Sequence, residues 1–364
     1  MLSVAFIIAV LLALAGGTAA HSCVASQQLV SKMLQQLEDS VKEDELPNPS
    51  ILLAMNLAGT TDSYTHKLLL QQIKEEAVKR AQKDMTSGEV ALYVLALLSS
   101  CQNPQDIQAL GQSVDLLHVL QQKTDEEMAS LELEGIPKTT LYSVSLDTLA
   151  LCLASVGGYQ EASVVLAKQL LSSESHLSVD TRAMAALALA CTYGQTDLDD
   201  VQDLLWEALS VVTNDFLDEQ EEKDGMIGNI YSMGLALQVL GATGKFYAPR
   251  KWDCTQAFAV VYSHDYQLPM AIAQVLPALL DRSYLKAAEV DCTSTDTSSS
   301  LQSSQSPKLS TTRVHRAASI TVHYSIINKL QGKHFSYTIS VQVLQGSTLL
   351  KVLQAAEEKE PQNF

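Results

Sequence analysis

Residues 176–191 read HLSVDTRAMAALALAC, an almost wholly apolar segment that begins with a histidine and contains one aspartate near its start. Ser178 or Asp180 can cap the start of a helix, and the alanines and leucines that follow leave it without a polar face. A helix that is apolar on every side is buried inside a protein. The segment therefore predicts an inner helix with His176 and Asp180 at its N-terminal end.

Five further segments have the same character, because each begins on a cap or turn residue and continues with apolar residues on all faces. They are PSILLAMNLAG (49–59), SGEVALYVLALLSSC (87–101), SLDTLALCLASVG (145–157), YSMGLALQVLGA (231–242) and LPMAIAQVLPALL (268–280). The six starts, at 49, 87, 145, 180, 231 and 268, are irregularly spaced. A helical hairpin repeated with loops of variable length explains this spacing.

Helices of a second kind lie between these segments, with apolar residues along one stripe only. The stripes are Leu29/Val30/Met33/Leu37, Leu69/Leu70/Ile73/Ala77, Ile107/Leu110/Val114/Leu117 and Val201/Leu204/Leu205/Ala208/Val212, and segments 159–171 and 252–262 complete the set. Six buried helices alternating with six amphipathic ones predict a mainly α fold, an (α/α)6 barrel of inner and outer helices. An open superhelix is the alternative, although it would require amphipathic end repeats and more even spacing.

The composition and hydrophobic pattern of the chain change after Cys292. A Ser/Thr-rich stretch is followed by apolar alternation at 320–326 and 335–343, which predicts two strands, and by a helical segment at 347–359. Two strands and one helix are too little to be stable alone, so this domain is predicted to be incomplete. The predicted parts are a signal peptide (1–20), a helical domain (21–292), a linker (293–314) and a partial α+β domain (315–364).

Export is indicated by the first twenty residues, which are uncharged, apolar and end in small residues. They predict a secretory signal cleaved after Ala20, although the usual basic residues are missing. An uncleaved membrane anchor is the less favoured alternative, because the stretch breaks at Gly16 and Gly17. Six cysteines in a secreted, extracellular chain predict three disulfides, with 15 possible connectivities.

The formal net charge is −17, which makes nucleic acid and anionic membrane surfaces poor partners. The densest acidic run, DEQEEKD at 218–224, predicts a solvated loop.

Polar residues gather at the predicted starts of the inner helices. If these helices all run in one direction, their N-termini share one end of the barrel, which we call the mouth. The mouth would carry Glu89, Thr139, Thr140, Tyr142, Ser143, His176, Ser178, Asp180, Asn229, Ser232 and Gln274. Each residue taken singly is better explained as a helix cap than as part of a site, and Asn229 and Gln274 could equally be buried amides paired with the backbone. Together they offer amide, hydroxyl and carboxylate groups to a large polar ligand.

An enzyme is the alternative reading of the same mouth. Barrels of this kind also include glycosidases, which need two carboxylates across a cleft, and Glu89, Asp147 and Asp180 are candidates by position. Sugar clefts are usually rich in stacking aromatics, whereas this chain has two Trp and six Phe. We therefore favour a binding protein without catalysis; a scaffold that has lost its ligand is a further alternative.

Several long segments resemble those of the extracellular cobalamin carriers, the family of transcobalamin, haptocorrin and intrinsic factor. They are YSVSLDTLALCL (142–153), HLSVDTRAMAALALAC (176–191), IGNIYSMGLALQVL (227–240), AIAQVLPALLDRSYL (271–285) and GSTLLKVLQAAEEKEP (346–361). The resemblance implies an (α/α)6 barrel and a β domain, with cobalamin carried between the two. It also implies the disulfides Cys23–Cys254, Cys101–Cys292 and Cys152–Cys191.

The resemblance also implies a set of ligand-binding residues. They are Glu89, the run Thr139, Thr140, Leu141, Tyr142 and Ser143, the run His176, Leu177, Ser178, Val179 and Asp180, and also Asn229, Ser232 and Gln274. Within this set, Asp180 would accept hydrogen bonds from corrin amides and His176 would bind cobalt, since a neutral imidazole is a good ligand for transition metals.

The chain departs from the family pattern in three ways. Glu89 and Ser143 stand where glutamine is common, and the β domain is shortened at its C-terminal end. The expected partners are cobalamin as the transported ligand and a cell-surface uptake receptor, and the expected state is a monomer.

Overall fold

The computed structural model describes Cys23 and residues 25–43, 45–173, 176–292, 319–328, 335–344 and 349–360. The predicted signal peptide and the predicted linker at 293–314 lie outside the described residues. Contacts divide the chain into two units, Met1–Thr297 and Ser298–Phe364, and each is described by itself.

The first unit is almost entirely helical. In chain order its helices are α1 (Gln27–Asp39), α2 (Pro49–Leu57), α3 (Tyr64–Arg80), α4 (Ser87–Ser99), α5 (Leu116–Glu134), α6 (Leu141–Leu153), α7 (Tyr159–Leu171), α8 (Val179–Tyr193), α9 (Asp199–Glu222), α10 (Met233–Ala242), the short α11 (Gly244–Tyr247), α12 (Cys254–Ser263) and α13 (Pro269–Leu279). A short 3₁₀ turn, Tyr284–Lys286, follows α13.

The inner helices α2, α4, α6, α8, α10 and α13 form a closed ring. Each contacts the next, and α13 contacts α2. The outer helices α1, α3, α5, α7, α9 and α12 alternate with them along the chain. The segment before α1 is bonded to the end of α13, because the Ala25 amide donates to the Leu279 carbonyl at 3.2 Å. The predicted closed double ring of six inner and six outer helices is confirmed, and the open superhelix is wrong.

The inner helices form because their sequences are apolar all round, and four of the six begin at a side-chain cap. Asn48, Thr86, Thr140 and Ser178 each accept a backbone N–H of the helix that follows. Small residues then let the helices approach closely. A Cβ placed on Gly234 of α10 would lie 2.6 Å from the backbone carbon of Gln274 in α13. That backbone cannot yield, so the ring requires glycine at this position.

Three disulfides fasten the helical unit. They join Cys23 to Cys254, Cys101 to Cys292 and Cys152 to Cys191. These pairs, one of the 15 connectivities possible, are the ones that the resemblance implies. The first connects the segment before α1 with α12, and the third connects the C-terminal ends of α6 and α8.

The stripe predicted at Ile107, Leu110, Val114 and Leu117 is not one amphipathic helix. Ile107–Ala109 (β1) pairs with Gln112–Val114 (β2) in an antiparallel hairpin, and α5 begins only at Leu116. Leu110 and Gly111 form the turn with positive φ angles of 53° and 72°, which a helix cannot contain. Apolar residues three and four positions apart therefore matched a helical period by coincidence.

Two further expectations need correction. The third inner helix begins at Leu141 and not at residue 145, because Thr140 accepts the Ser143 amide and caps it there. Tyr142 and Ser143 consequently lie in its first turn. The acidic run at 218–224 is not a loop, since α9 extends to Glu222 and is braced by ion pairs from Arg250 to Asp218 and Glu221.

The second unit contains an antiparallel pair of strands, β3 (Ser319–Asn328) and β4 (Phe335–Leu344), followed by α14 (Leu349–Lys359). The register places apolar residues of both strands on one face, where Ile339 and Val341 pack against Val352 and Ala356 of α14. The opposite face is polar, with His323 hydrogen-bonded to Ser340 at 2.7 Å. No helix in the described parts of either unit is long and apolar enough to cross a membrane.

Candidate functional site

The first turns of the inner helices meet at one end of the barrel, the predicted mouth. The Ser232 hydroxyl at the start of α10 donates to Asp180 Oδ2 in the first turn of α8 at 3.0 Å. A Cβ placed on Gly88 of α4 would lie 2.8 Å from the Ser143 Cβ of α6, so these first turns also touch. The structure thus brings together residues that are far apart in the chain.

Tyr142 lies in the first turn of α6, near Asp180 of α8. Burial, and the nearby negative charge of Asp180, raise the pKa of its hydroxyl above the ordinary value for tyrosine. The hydroxyl therefore keeps its proton and can donate a hydrogen bond at any physiological pH. Leu141 and Ser143 beside it are half-buried.

Thr139 is fixed by a glutamate that the sequence did not single out. Glu127 on α5 is 2% exposed, and its carboxylate accepts the Thr139 amide at 3.0 Å, the Thr139 hydroxyl at 2.7 Å and the Ser87 hydroxyl at 3.0 Å. These three donors satisfy a buried carboxylate without a basic partner. The segment that leads into α6 is consequently tied to an outer helix.

Asp147, one of the three carboxylates considered for catalysis, is fully buried inside α6. Burial, followed by the charge of the neighbouring Glu127, raises its pKa well above the ordinary value. The nearby Ser87 hydroxyl donates to Glu127 and not to Asp147, so neither Asp147 oxygen has a hydrogen-bond partner among the described residues. A buried, proton-bearing carboxyl of this kind belongs to the core rather than to an open cleft.

Asn229 and Gln274 each have amide atoms without a hydrogen-bond partner among the described residues. The Asn229 oxygen accepts the backbone amides of Tyr231 and Ser232, at 2.8 and 3.2 Å, and so orders the start of α10. Its side-chain NH₂ and the whole Gln274 side chain form no hydrogen bond within the described part of the chain, and Gln274 is half-buried. Such groups are available to a polar ligand.

His176 lies in the segment that precedes α8. It is exposed and forms no hydrogen bond within the described residues, whereas Ser178 is a cap that accepts the Thr181 amide at 3.2 Å. Leu177 and Val179 on either side of the cap are half-buried. An exposed imidazole without a protein partner can still bind a metal ion or remain in solvent.

Glu89 has a structural task at the start of α4. Its carboxylate accepts the Thr86 amide at 2.8 Å while the Thr86 hydroxyl accepts the Glu89 amide, a reciprocal capping box. Arg80 lies 3.9 Å from the other carboxylate oxygen. The cap accounts for a glutamate at this position without any ligand.

A second glutamate that the sequence reasoning missed supports the segment that carries Asn229. Glu219 on α9 accepts the Gly228 amide at 3.1 Å and lies 3.7 Å from the Arg182 guanidinium of α8. It belongs to the acidic run that was predicted to be a solvated loop, so nothing in its local sequence distinguished it from its exposed neighbours.

Exposed apolar side chains surround the mouth and were not predicted either. Four lie in the segments that lead into α2, α6, α10 and α13, and one lies in the first turn of α13; they are Leu46, Ile136, Tyr231, Leu268 and Met270. A rim of large apolar side chains around polar groups is typical of a surface that binds a ligand or a partner.

Comparison with known proteins gives a consistent picture. The sequence model of the family described as eukaryotic cobalamin-binding protein matches residues 5–312. Cobalamin binding intrinsic factor from Rattus norvegicus is 35% identical over 376 residues, which cover 97% of this chain and 83% of that protein. Transcobalamin-1 from Homo sapiens is 32% identical, over 85% of this chain and 72% of its own length.

A solved structure agrees with both relatives. The crystal structure of haptocorrin in complex with Cbi superposes with a TM-score of 0.62 and 26% sequence identity, covering 93% of this chain and 83% of that one. Family, relatives and fold therefore coincide, and the chain belongs to the eukaryotic cobalamin-binding protein family.

Proposed function

We propose that this protein is a secreted carrier that binds cobalamin at the mouth of its helical barrel and transports it without catalysis of its own. The observation that carries the proposal is the convergence of the mouth residues. Tyr142, Asp180 and Ser232 stand at the starts of three different inner helices and lie close together at one end of the barrel, in a chain whose family binds cobalamin.

The groups at the mouth suit a corrin, whose rim carries many amides. Within the described residues, one Asp180 carboxylate oxygen has no hydrogen-bond partner, and Tyr142 retains its proton as a donor. The NH₂ group of Asn229 and the side-chain amide of Gln274 are likewise without partners there. A ligand that satisfied all of these groups at once would be preferred over one that left some unpaired, because unpaired buried polar groups are costly.

His176 is the residue that we propose for cobalt. Its imidazole is exposed and unbonded within the described residues, and histidine nitrogen is a suitable ligand for a transition metal. The ligand-binding runs proposed beside it are Thr139, Thr140, Leu141, Tyr142 and Ser143, and Leu177, Ser178, Val179 and Asp180. Glu89 is a further proposed ligand-binding residue at the start of α4, where its role in the helix cap restricts the positions that its carboxylate can reach.

Catalysis is not part of the proposal. A glycosidase needs two accessible carboxylates, whereas Asp147 is buried in the core and Glu89 is engaged in a cap, which leaves Asp180 alone. The relatives are likewise named for binding or carrying cobalamin. Secretion is supported by the signal-like residues 1–20 and by the pairing of all six cysteines in disulfides. A monomeric state and an uptake receptor stay predictions.

The experiment is a titration of the secreted full-length chain with aquocobalamin, followed by visible absorbance. His176→Ala is compared with His118→Ala, because His118 is also exposed but lies in the first turn of the outer helix α5, at the opposite end of the barrel. We expect tight binding by the wild type and a spectral change that only His176→Ala abolishes.

Other outcomes separate the parts of the proposal. If both variants bind cobalamin with the same spectrum, the carrier function stands but His176 is not the cobalt ligand. Failure of a folded, disulfide-intact chain to bind cobalamin would contradict the carrier and favour a scaffold that has lost its ligand.

A further inference from the structure

The segments that lead into the inner helices are held from outside the ring. Before α2, the Gln72 side chain of α3 donates to the carbonyls of Lys42 and Glu43 at 3.0 and 3.2 Å. Before α13, the Gln36 side chain of α1 donates to the Tyr266 carbonyl at 3.1 Å. Outer helices thus supply side chains that satisfy backbone groups of these segments.

Two other segments are held by carboxylates instead of amides. Glu127 of α5 accepts the amide of Thr139 before α6, and Glu219 of α9 accepts the amide of Gly228 before α10. These are the segments that introduce the proposed ligand-binding residues Tyr142 and Asn229. Hydrogen bonds from N–H groups to a carboxylate are stronger than neutral ones.

The segment before α8 is different. Within the described residues, no outer-helix side chain forms a hydrogen bond with residues 176–178, although Ser178 caps its own helix. Residues 176–178, which include the candidate cobalt ligand, therefore differ in the described structure from the anchored segments before α6 and α10.

We infer that Glu127 and Glu219 are positioning residues for the ligand site: they fix the segments before α6 and α10 in the conformation that binds cobalamin, without touching it. This inference rests on the proposed function. A site that is ordered before the ligand arrives does not lose binding free energy to loop ordering, so the loss of either glutamate should weaken binding.

Burial distinguishes the two glutamates from their neighbours. Glu127 is 2% exposed and has three donors around it, so glutamine in its place would turn an NH₂ group toward one of them. Glu219 is partly buried and shared between the Gly228 amide, Arg182 and Lys223. The effect of replacing Glu219 should therefore be the smaller one.

The test compares Glu127→Gln and Glu219→Gln with matched controls on the same helices. Glu132→Gln on α5 and Glu222→Gln on α9 remove the same charge from exposed side chains. Aquocobalamin dissociation from the full chain is measured by chase with labelled cobalamin. We expect dissociation about tenfold to a hundredfold faster for Glu127→Gln, several-fold faster for Glu219→Gln and unchanged for the controls, because a buried donor left without its acceptor costs affinity on this scale.

Amide hydrogen exchange of the ligand-free chain provides the readout that a general loss of stability would not produce. Glu127→Gln should speed exchange at Thr139 and spare Gly228, and Glu219→Gln should do the reverse, while the inner helices keep their protection. If Glu127→Gln does not fold, Ser87→Ala removes one of the three bonds and leaves Glu127 and the proposed ligand-binding residue Thr139 in place. A smaller acceleration of dissociation is then expected.

Two results would overturn the inference while leaving the carrier intact. One is faster amide exchange with an unchanged dissociation rate, and the other is faster dissociation with unchanged exchange at both amides. If the wild-type chain binds no cobalamin, the proposed function fails and this inference fails with it.

Discussion

The Ser232 hydroxyl donates a hydrogen bond to Asp180 Oδ2 over 3.0 Å, between residues 52 positions apart in the chain. The bond joins the starts of α8 and α10, and Tyr142 of α6 lies close enough for the same carboxylate to raise its pKa. The negative charge of Asp180, on α8, therefore interacts with side chains of both α6 and α10 at the mouth.

Asp180→Asn should weaken cobalamin binding about tenfold to a hundredfold. The substitution removes the charge from the Ser232 bond and replaces one acceptor oxygen by a donor group. Equilibrium titration of the full chain measures the dissociation constant. Asp200→Asn is the control, since Asp200 is also in the first turn of a helix, the outer helix α9, at the opposite end of the barrel. Equal dissociation constants for the two variants would show that Asp180 is not part of the cobalamin site.

Gly234→Ala should destabilise the helical unit by about 1–3 kcal/mol, because its Cβ would lie 2.6 Å from the α13 backbone. Gly241→Ala in the same helix is the matched control, since the nearest atom to its Cβ, on Trp252, is 3.5 Å away. Alanine there should be neutral or stabilising by up to about 1 kcal/mol. Urea unfolding measures both, and similar free energies of unfolding would show that α10 and α13 do not approach so closely.

Asp147 should make the stability of the fold depend on pH. Its folded-state pKa is raised, so the stability that it contributes is complete below the unfolded value of about 3.9 and is lost as pH rises through the raised pKa. Asp147→Asn does not titrate and should flatten this part of the profile, leaving the variant more stable than the wild type at neutral pH, by about 1 kcal/mol or more. Urea unfolding at several pH values between 4 and 8 measures the difference. The same slope in both proteins would assign the dependence to other groups.

Removal of the Cys152–Cys191 disulfide, by alanine at both positions, should lower the free energy of unfolding by up to about 4 kcal/mol, the loop-closure value for its separation of 39 residues. The bond lies at the C-terminal ends of α6 and α8, away from the mouth. Cobalamin affinity measured well below the unfolding temperature should therefore be unchanged. A large loss of affinity would mean that the two ends of the barrel are coupled.

Most of the fold could be predicted from the sequence because the inner helices carry an unusual signal. Segments such as 87–101 are apolar on every face and start at a cap, a combination that only a buried position explains. The errors arose where local patterns compete. Residues 107–117 fit a helical period, yet the turn at Leu110 and Gly111 makes a hairpin.

The supports of the candidate site were harder to predict. The capping role of Ser178 is visible in sequence because a cap is a local event, although Thr140 was missed as the cap of α6. Glu127 and Glu219 act across helix boundaries, on amides 12 and 9 residues later, and each lies among other acidic residues. Only the tertiary structure shows which member of an acidic helix is turned inward.

Closure of the ring has a consequence for synthesis. Helix α2 completes its packing only against α13, which follows about 200 residues later in the chain. Until those residues leave the ribosome, an apolar flank of α2 has no neighbour, and a nascent chain in that state is a substrate for chaperones. Damage to the last inner helix would therefore expose the first, so mutations within residues 269–279 should reduce the yield of folded protein more than their local contacts suggest.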